Sequence, residues 1–211
     1  MRLLQVLLCL ACVLVVPSVG WAGLPSPANS TAPSCISLVG SNGGVPALAA
    51  GQFQVVYRDL ANNPIANGAI VIDLSGAPDL NICADQLDAD ATVDCVHRTV
   101  TKHTAADGSV RFTILGGSNG AGNAVTLLNG GKIFANGTLI QSPTVSAFDL
   151  DGAAGVGAND LSAWLTDFGS GLNYGRSDFD CSGNLGANDL SFWLTAFGSG
   201  TMAESCAASC P

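Results

Sequence analysis

Residues 149–171 read DLDGAAGVGANDLSAWLTDFGSG, and residues 178–200 read DFDCSGNLGANDLSFWLTAFGSG. The second stretch repeats the first after 29 residues, with 15 of 23 aligned positions identical. Self-similarity of this kind marks a supersecondary unit used twice. Each copy opens on alternating aspartates and then meets Asn-Asp-Leu-Ser and an apolar run. Leu161, Trp164, Leu165 and Phe168 fall at i, i+3, i+4 and i+7, and so do Leu190, Trp193, Leu194 and Phe197. That spacing predicts a helix with one apolar face, with both tryptophans in the core. Gly169 and Gly198 are expected to end the two helices. The last third of the chain is therefore expected to be two loop–helix units.

The loops carry the layout that a calcium ion requires. Calcium takes six to eight oxygens, supplied from loop positions 1, 3, 5, 7, 9 and 12, with a sharp turn at position 6. In the second loop these positions are Asp178, Asp180, Ser182, the Asn184 carbonyl, Gly186 through a water, and Asp189, with Gly183 at the turn. In the first loop they are Asp149, Asp151, Ala153, the Gly155 carbonyl, Gly157 through a water, and Asp160. Ala153 brings no side-chain oxygen and Ala154 replaces the turning glycine, so the second loop is expected to bind first and tighter. One or two calcium ions are expected. Position 12 is Asp rather than the bidentate Glu of ordinary EF-hands. Pro143 and Gly175 leave no room for a long helix entering either loop.

This pair of repeats resembles the dockerin domain, whose two loop–helix units carry Asp at positions 1 and 12. The resemblance covers about fifty-five residues. It implies calcium-dependent docking to a cohesin-type module or a cell-surface scaffold, through positions 10 and 11 of each loop. Those positions are Ala158-Asn159 and Ala187-Asn188, the same pair in both copies. Departures are Ala153, Ala154 and the absence of Lys and Arg from the helices.

Upstream, residues 35–147 follow a strand-and-turn grammar. Phe53, Val55 and Tyr57 alternate with Gln54 and Arg58. Residues 69–74 and 97–104 read as strands, and Val110, Phe112 and Ile114 start another after the Asp107-Gly108 turn. Residues 125–128 and 132–135 are expected to form a hairpin across Asn129-Gly130-Gly131. Short strands spaced by such turns argue for a β-sandwich. Asn63-Pro64-Ile65-Ala66-Asn67-Gly68-Ala69 and Thr104-Ala105-Ala106-Asp107-Gly108-Ser109-Val110-Arg111-Phe112 resemble the bacterial immunoglobulin-like domains of the invasin/intimin type. The expected fold class is mainly β with a small α module: an Ig-like sandwich followed by the dockerin-like pair.

Residues 1–22 read as a secretory signal peptide. Arg2 precedes an apolar run over residues 3–16, and Gly20 and Ala22 mark a cleavage site. Residues 23–34 are expected to be a Pro/Ser linker, 35–147 the sandwich, 148–200 the calcium module and 201–211 a cysteine-containing tail. The expected location is extracellular or at the cell surface, with no membrane span in the mature chain. Removing the signal leaves Cys35, Cys83, Cys95, Cys181, Cys206 and Cys210, an even number that implies disulfides. Six cysteines allow fifteen pairings. Cys83 with Cys95 is favoured because they bracket one polar loop, and Cys181 with Cys206 or Cys210 would tie the tail to the repeats.

Lys and Arg total 7 against a formal net charge of -9, which leaves no basic stripe for nucleic acid. No serine-nucleophile, zinc-protease or phosphate-loop motif is present. His97 and His103 are read on one face of a strand, without a third metal ligand. Asp73, Asp79, Asp85, Asp88, Asp90 and Asp94 are read as solvated loops or a further calcium site. The expected function is that of a secreted, non-catalytic, calcium-binding interaction protein. The alternatives are a structural protein whose calcium module packs on its own sandwich, and an accessory protein of polysaccharide degradation. The last requires an aromatic groove, with Phe53, Tyr57, Phe112 and Phe134 as its candidates.

Overall fold

Alternation decides most of the strands. The computed structural model describes residues 23–39, 48–118, 129–152, 155–171, 175–198 and 210. In chain order these form β1 (Cys35–Leu38), a short helix α1 (Leu48–Gly51), β2 (Gln52–Val56), β3 (Ala69–Asp73), β4 (Leu80–Ile82), β5 (Thr92–Asp94) and β6 (Thr99–His103). There follow β7 (Ser109–Thr113), β8 (Gly116–Ser118), β9 (Lys132–Ala135), β10 (Thr138–Gln141) and β11 (Thr144–Ala147), then α2 (Ala158–Ser170) and α3 (Ala187–Gly198). The fold is mainly β.

A five-stranded sheet has the order β10-β9-β3-β6-β5, all antiparallel. Its central strand shows why it forms. Ile70 and Ile72 are fully buried while Ala69, Val71 and Asp73 are only partly so. Ile72 stands opposite Val100 on one side and Ile133 on the other, which makes an apolar row across three strands. Burying each such side chain stabilises by about 1.5–3 kcal/mol. Shorter ladders, β2 with β7, β4 with β8 and β1 with β11, supply the facing residues of the same core, among them Leu38, Val55, Phe112 and Val145. β1 and β11 run parallel, with Cys35 opposite Thr144.

One charge enters this core. Lys102 is 7% exposed, opposite Ile70. Its ammonium pairs with Asp88 at 2.8 Å and Asp90 at 3.2 Å and lies over the Phe112 ring. A buried charge is tolerated only when paired in this way. Asp88 and Asp90, two of the six aspartates read as loops or a further calcium site, thus serve this lysine. Among the described residues, no three of them gather closely enough to share an ion.

Several expectations are corrected. β9 makes its hairpin with β10; residues 125–128, its expected partner, lie outside the described residues. The turn is Asn136-Gly137, with φ of 45° and 79°, the left-handed pair that a two-residue hairpin loop requires. His97 sits in the turn before β6, not on its face, and bonds Asp94 at 2.7 Å. Residues 23–34 are not a free linker: Thr31 exchanges backbone bonds with Val56, and the Asn29 amide donates to the carbonyls of Asp59 and Leu60. Those bonds cover the outer edge of β2.

The disulfides also differ. Cys35 is bonded to Cys181 and Cys95 to Cys210. Cys83 and Cys95 stand at the ends of strands in different ladders, β4 with β8 and β5 with β6, so bracketing one loop does not bring them together. Cys210 is placed instead by donating its N–H to the Ile82 carbonyl. No helix among the described residues is long and apolar enough to cross a membrane. Residues 1–22 lie outside those described.

Candidate metal centre

β11 leads straight through Phe148 into Asp149, so the last strand of the β body is also the stem of the first loop. Asp149, Asp151 and Asp160 place carboxylate oxygens within 4.8 Å of one another, and so do Asp178, Asp180 and Asp189. The outer members of each triad are buried and the middle one is partly exposed. At an effective dielectric of ~20, two carboxylates at such a distance repel by about 3 kcal/mol. A cation held between them removes that cost, and each triad can hold a metal ion.

The backbone holds the carboxylates in place. In the second loop Asp178 accepts the N–H groups of Ser182 at 3.0 Å and Gly183 at 2.8 Å. Asp189 accepts from Asp180 at 3.1 Å and Gly186 at 2.8 Å. Gly183 has φ of 82°, as the sharp turn requires. The Ser182 hydroxyl lies 3.1 Å from the Asn184 carbonyl, so positions 5 and 7 are neighbours. In the first loop Asp160 accepts from Leu150, Asp151 and Gly157, and Asp149 from Gly152. Asp160 and Asp189 also lie in the first turns of α2 and α3, where a helix favours negative charge.

The electrostatics suit a cation at the triads. Burial pushes the Asp160 carboxyl above the ordinary range in spite of its three backbone bonds. Burial also raises Asp178, and the Asp189 carboxylate adds to the rise. Burial works against the charged form of Asp180, yet the hydroxyl and N–H of Ser182 hold its carboxyl below the usual range. None of the ion pairs between described residues involves Asp178, Asp180 or Asp189. The donors are all oxygen, which suits a hard cation rather than a thiolate-seeking one.

The first loop departs from the second at its middle. Ala153 and Ala154 lie outside the described residues. Gly155, the expected carbonyl donor, is buried with φ of 76°, so a left-handed turn falls at position 7. This loop is braced by the β body. Ser118 donates its N–H to the Asp149 carbonyl, and a Cβ on Gly117 would meet the Asp149 carboxylate at 2.9 Å. Sequence reading missed this contact; paired glycines in a strand are its one signal, since they mark close backbone approach.

Both helices pack by a narrow contact. Trp164 and Trp193 are buried beside Phe148, Leu150 and Phe179, and the same cluster takes in Val39, Cys83 and Leu115 from the β body. Leu161 and Leu190 pack against it, partly buried, but the rest of the expected apolar stripe does not follow. Leu165 and Phe168 are 52% and 51% exposed, and Leu194 and Phe197 are 51% and 41% exposed. Helix α2 also runs past Gly169 to a left-handed Gly171. Ala158, Asn159, Ala187 and Asn188, read as partner contacts, are all exposed.

The four aromatics expected to line a groove do not share one. Tyr57 and Phe112 are buried, and Phe53 stacks on Phe112. Phe53 instead shares a cleft of about 230 Å³ with Phe179, Phe192 and Asp180. No family model, curated protein or solved structure matches the chain.

Proposed function

We propose that this is a secreted, non-catalytic docking protein: an Ig-like sandwich carrying a dockerin-type module that binds calcium and presents a protein-binding face. The carrying observation is the pair of buried acidic triads, one per repeat, each on a loop that turns into a helix. Calcium is the favoured ion because the second loop offers carboxylate, hydroxyl and carbonyl oxygens and the first carboxylate and carbonyl oxygens, whereas magnesium demands near-octahedral geometry and keeps its waters. The ligands are Asp178, Asp180, Ser182, Asn184 and Asp189 in the second site. In the first they are Asp149, Asp151, Gly155 and Asp160. The two disulfides between described residues are compatible with an extracellular location.

The partner reading is supported by matched exposure. Ala158 and Leu165 lie seven residues apart on one stripe of α2, and Ala187 and Leu194 repeat this on α3. Large apolar side chains left outside in both repeats suit a cohesin-type module or another scaffold protein. The test is calorimetry of residues 23–211 with calcium, then with a panel of cohesin modules. Binding of a module that needs calcium, and that Leu165→Asp with Leu194→Asp abolishes while calcium still binds, supports docking.

A second reading has its own observation. The repeat shares a core with the β body, so the ion can serve only to complete the fold. On that reading calcium raises the melting temperature and no cohesin module binds.

A further inference from the structure

Cys181 occupies position 4 of the second loop, between Asp180 and Ser182, with φ of 54°. The same position in the first loop is Gly152, with φ of 70°. A glycine adopts that left-handed backbone freely and a residue with a Cβ does not. The second loop therefore carries a side chain where the first has none, and that side chain is bonded to Cys35 across 146 residues of sequence. Cys35 opens β1 and stands opposite Thr144 on β11, the strand that runs into the first loop. The first loop is thus anchored to the β1–β11 ladder by chain continuity, and the second by the disulfide. Phe148 and Phe179, stacked at 4.8 Å, close the gap between the two stems.

We infer that the Cys35–Cys181 disulfide is a positioning element of the second metal site, and that calcium affinity there depends on the oxidation state of this bond. The inference rests on the calcium reading above. A dithiol reductant supplies two electrons and two protons, converts the bond to two thiols and leaves as its own cyclic disulfide. The freed Cys181 then keeps its left-handed backbone only through its N–H bond to the Asp178 carbonyl, so Asp180 and Ser182 on either side are held by the loop's own hydrogen bonds and no longer by the β body. Linkage makes the effect reciprocal: if reduction weakens calcium binding, calcium resists reduction by the same factor.

The test is calorimetry of the mature chain against calcium, comparing wild type, Cys35→Ser with Cys181→Ser, and Cys95→Ser with Cys210→Ser as a control. The first variant is expected to bind about tenfold more weakly at one site, the other pair much less so. A second measurement uses only wild type: the extent of Cys35–Cys181 reduction by a dithiol at equilibrium, read by thiol trapping and peptide mass, with calcium or with EGTA. Calcium is expected to hold the bond oxidised at dithiol concentrations that reduce it in EGTA. Equal calcium affinity with and without the bond, or equal reduction with and without calcium, overturns the inference. Absence of calcium binding by the oxidised wild type overturns the calcium reading itself.

Discussion

Asp178 is asked to hold a negative charge in a buried place, and this gives it two opposite effects on stability. Burial raises its carboxyl above the ordinary range in the metal-free fold. A carboxyl raised in the folded state contributes stability below its unfolded pKa and loses it as pH rises through the folded value. Metal-free Asp178→Asn is therefore expected to melt above metal-free wild type at pH 7, and the gap should close towards about pH 4. Saturating calcium should reverse the order, because the variant has lost a ligand; thermal melts in EGTA and in calcium at both pH values check this. Gly117→Ala tests the brace on the other loop. Its Cβ would press on the Asp149 carboxylate, so calcium affinity at the first site should fall about tenfold, the usual cost of disturbing a residue behind a ligand. Calorimetry would show one site weakened and the other kept. Of these residues, the aspartates were legible from their spacing alone. Gly117 was not, because its contact depends on how β8 meets the loop stem. The disulfide partner of Cys181 was not legible either, since six cysteines leave the pairing open.

The helices show where periodicity stops being informative. The i, i+3, i+4, i+7 pattern located α2 and α3, yet only the tryptophans and their near neighbours are buried. A hydrophobic stripe states that a face is apolar, not that this chain covers it. Here each helix touches the β body along one edge, and the two helices repeat the same exposed Leu and Phe. The tryptophans themselves differ. The Trp164 indole N–H donates to the Ser177 carbonyl at 3.2 Å, whereas that of Trp193 is buried without a partner among the described residues. Trp164→Phe should therefore cost about 1 kcal/mol more than Trp193→Phe in urea unfolding, the net worth of one hydrogen bond. Ser177 belongs to the turn Gly175–Ser177 between the repeats, which is tied to α2 by the buried pair of Arg176 and Asp167 at 2.8 Å. Asp167 also accepts from the Ser177 hydroxyl. This pair has no counterpart in the second repeat, where Ala196 replaces Asp167. Arg176→Met leaves Asp167 buried without its ion partner and is expected to destabilise by about 3–5 kcal/mol.

At the scale of the molecule, the repeat module and the β body share one core rather than standing as two beads. The second core cluster draws Val39, Cys83 and Leu115 from one and Leu150, Trp164 and Trp193 from the other. The division near residue 147 followed from composition, since strands give way there to the repeat; the shared core was invisible because it needs residues more than a hundred positions apart. Residues 148–211 alone lack Val39, Cys83 and Leu115 of that core and the Cys35 anchor, so they are expected to bind calcium far more weakly than residues 23–211. The central claim is that the paired acidic triads are calcium sites. It is tested most directly by calorimetric titration of residues 23–211 with calcium, beside Asp178→Ala with Asp189→Ala. The account predicts saturable binding that raises the melting temperature, with the tighter site lost in the double variant. Absence of binding, with melting unchanged by calcium or EGTA, would contradict it.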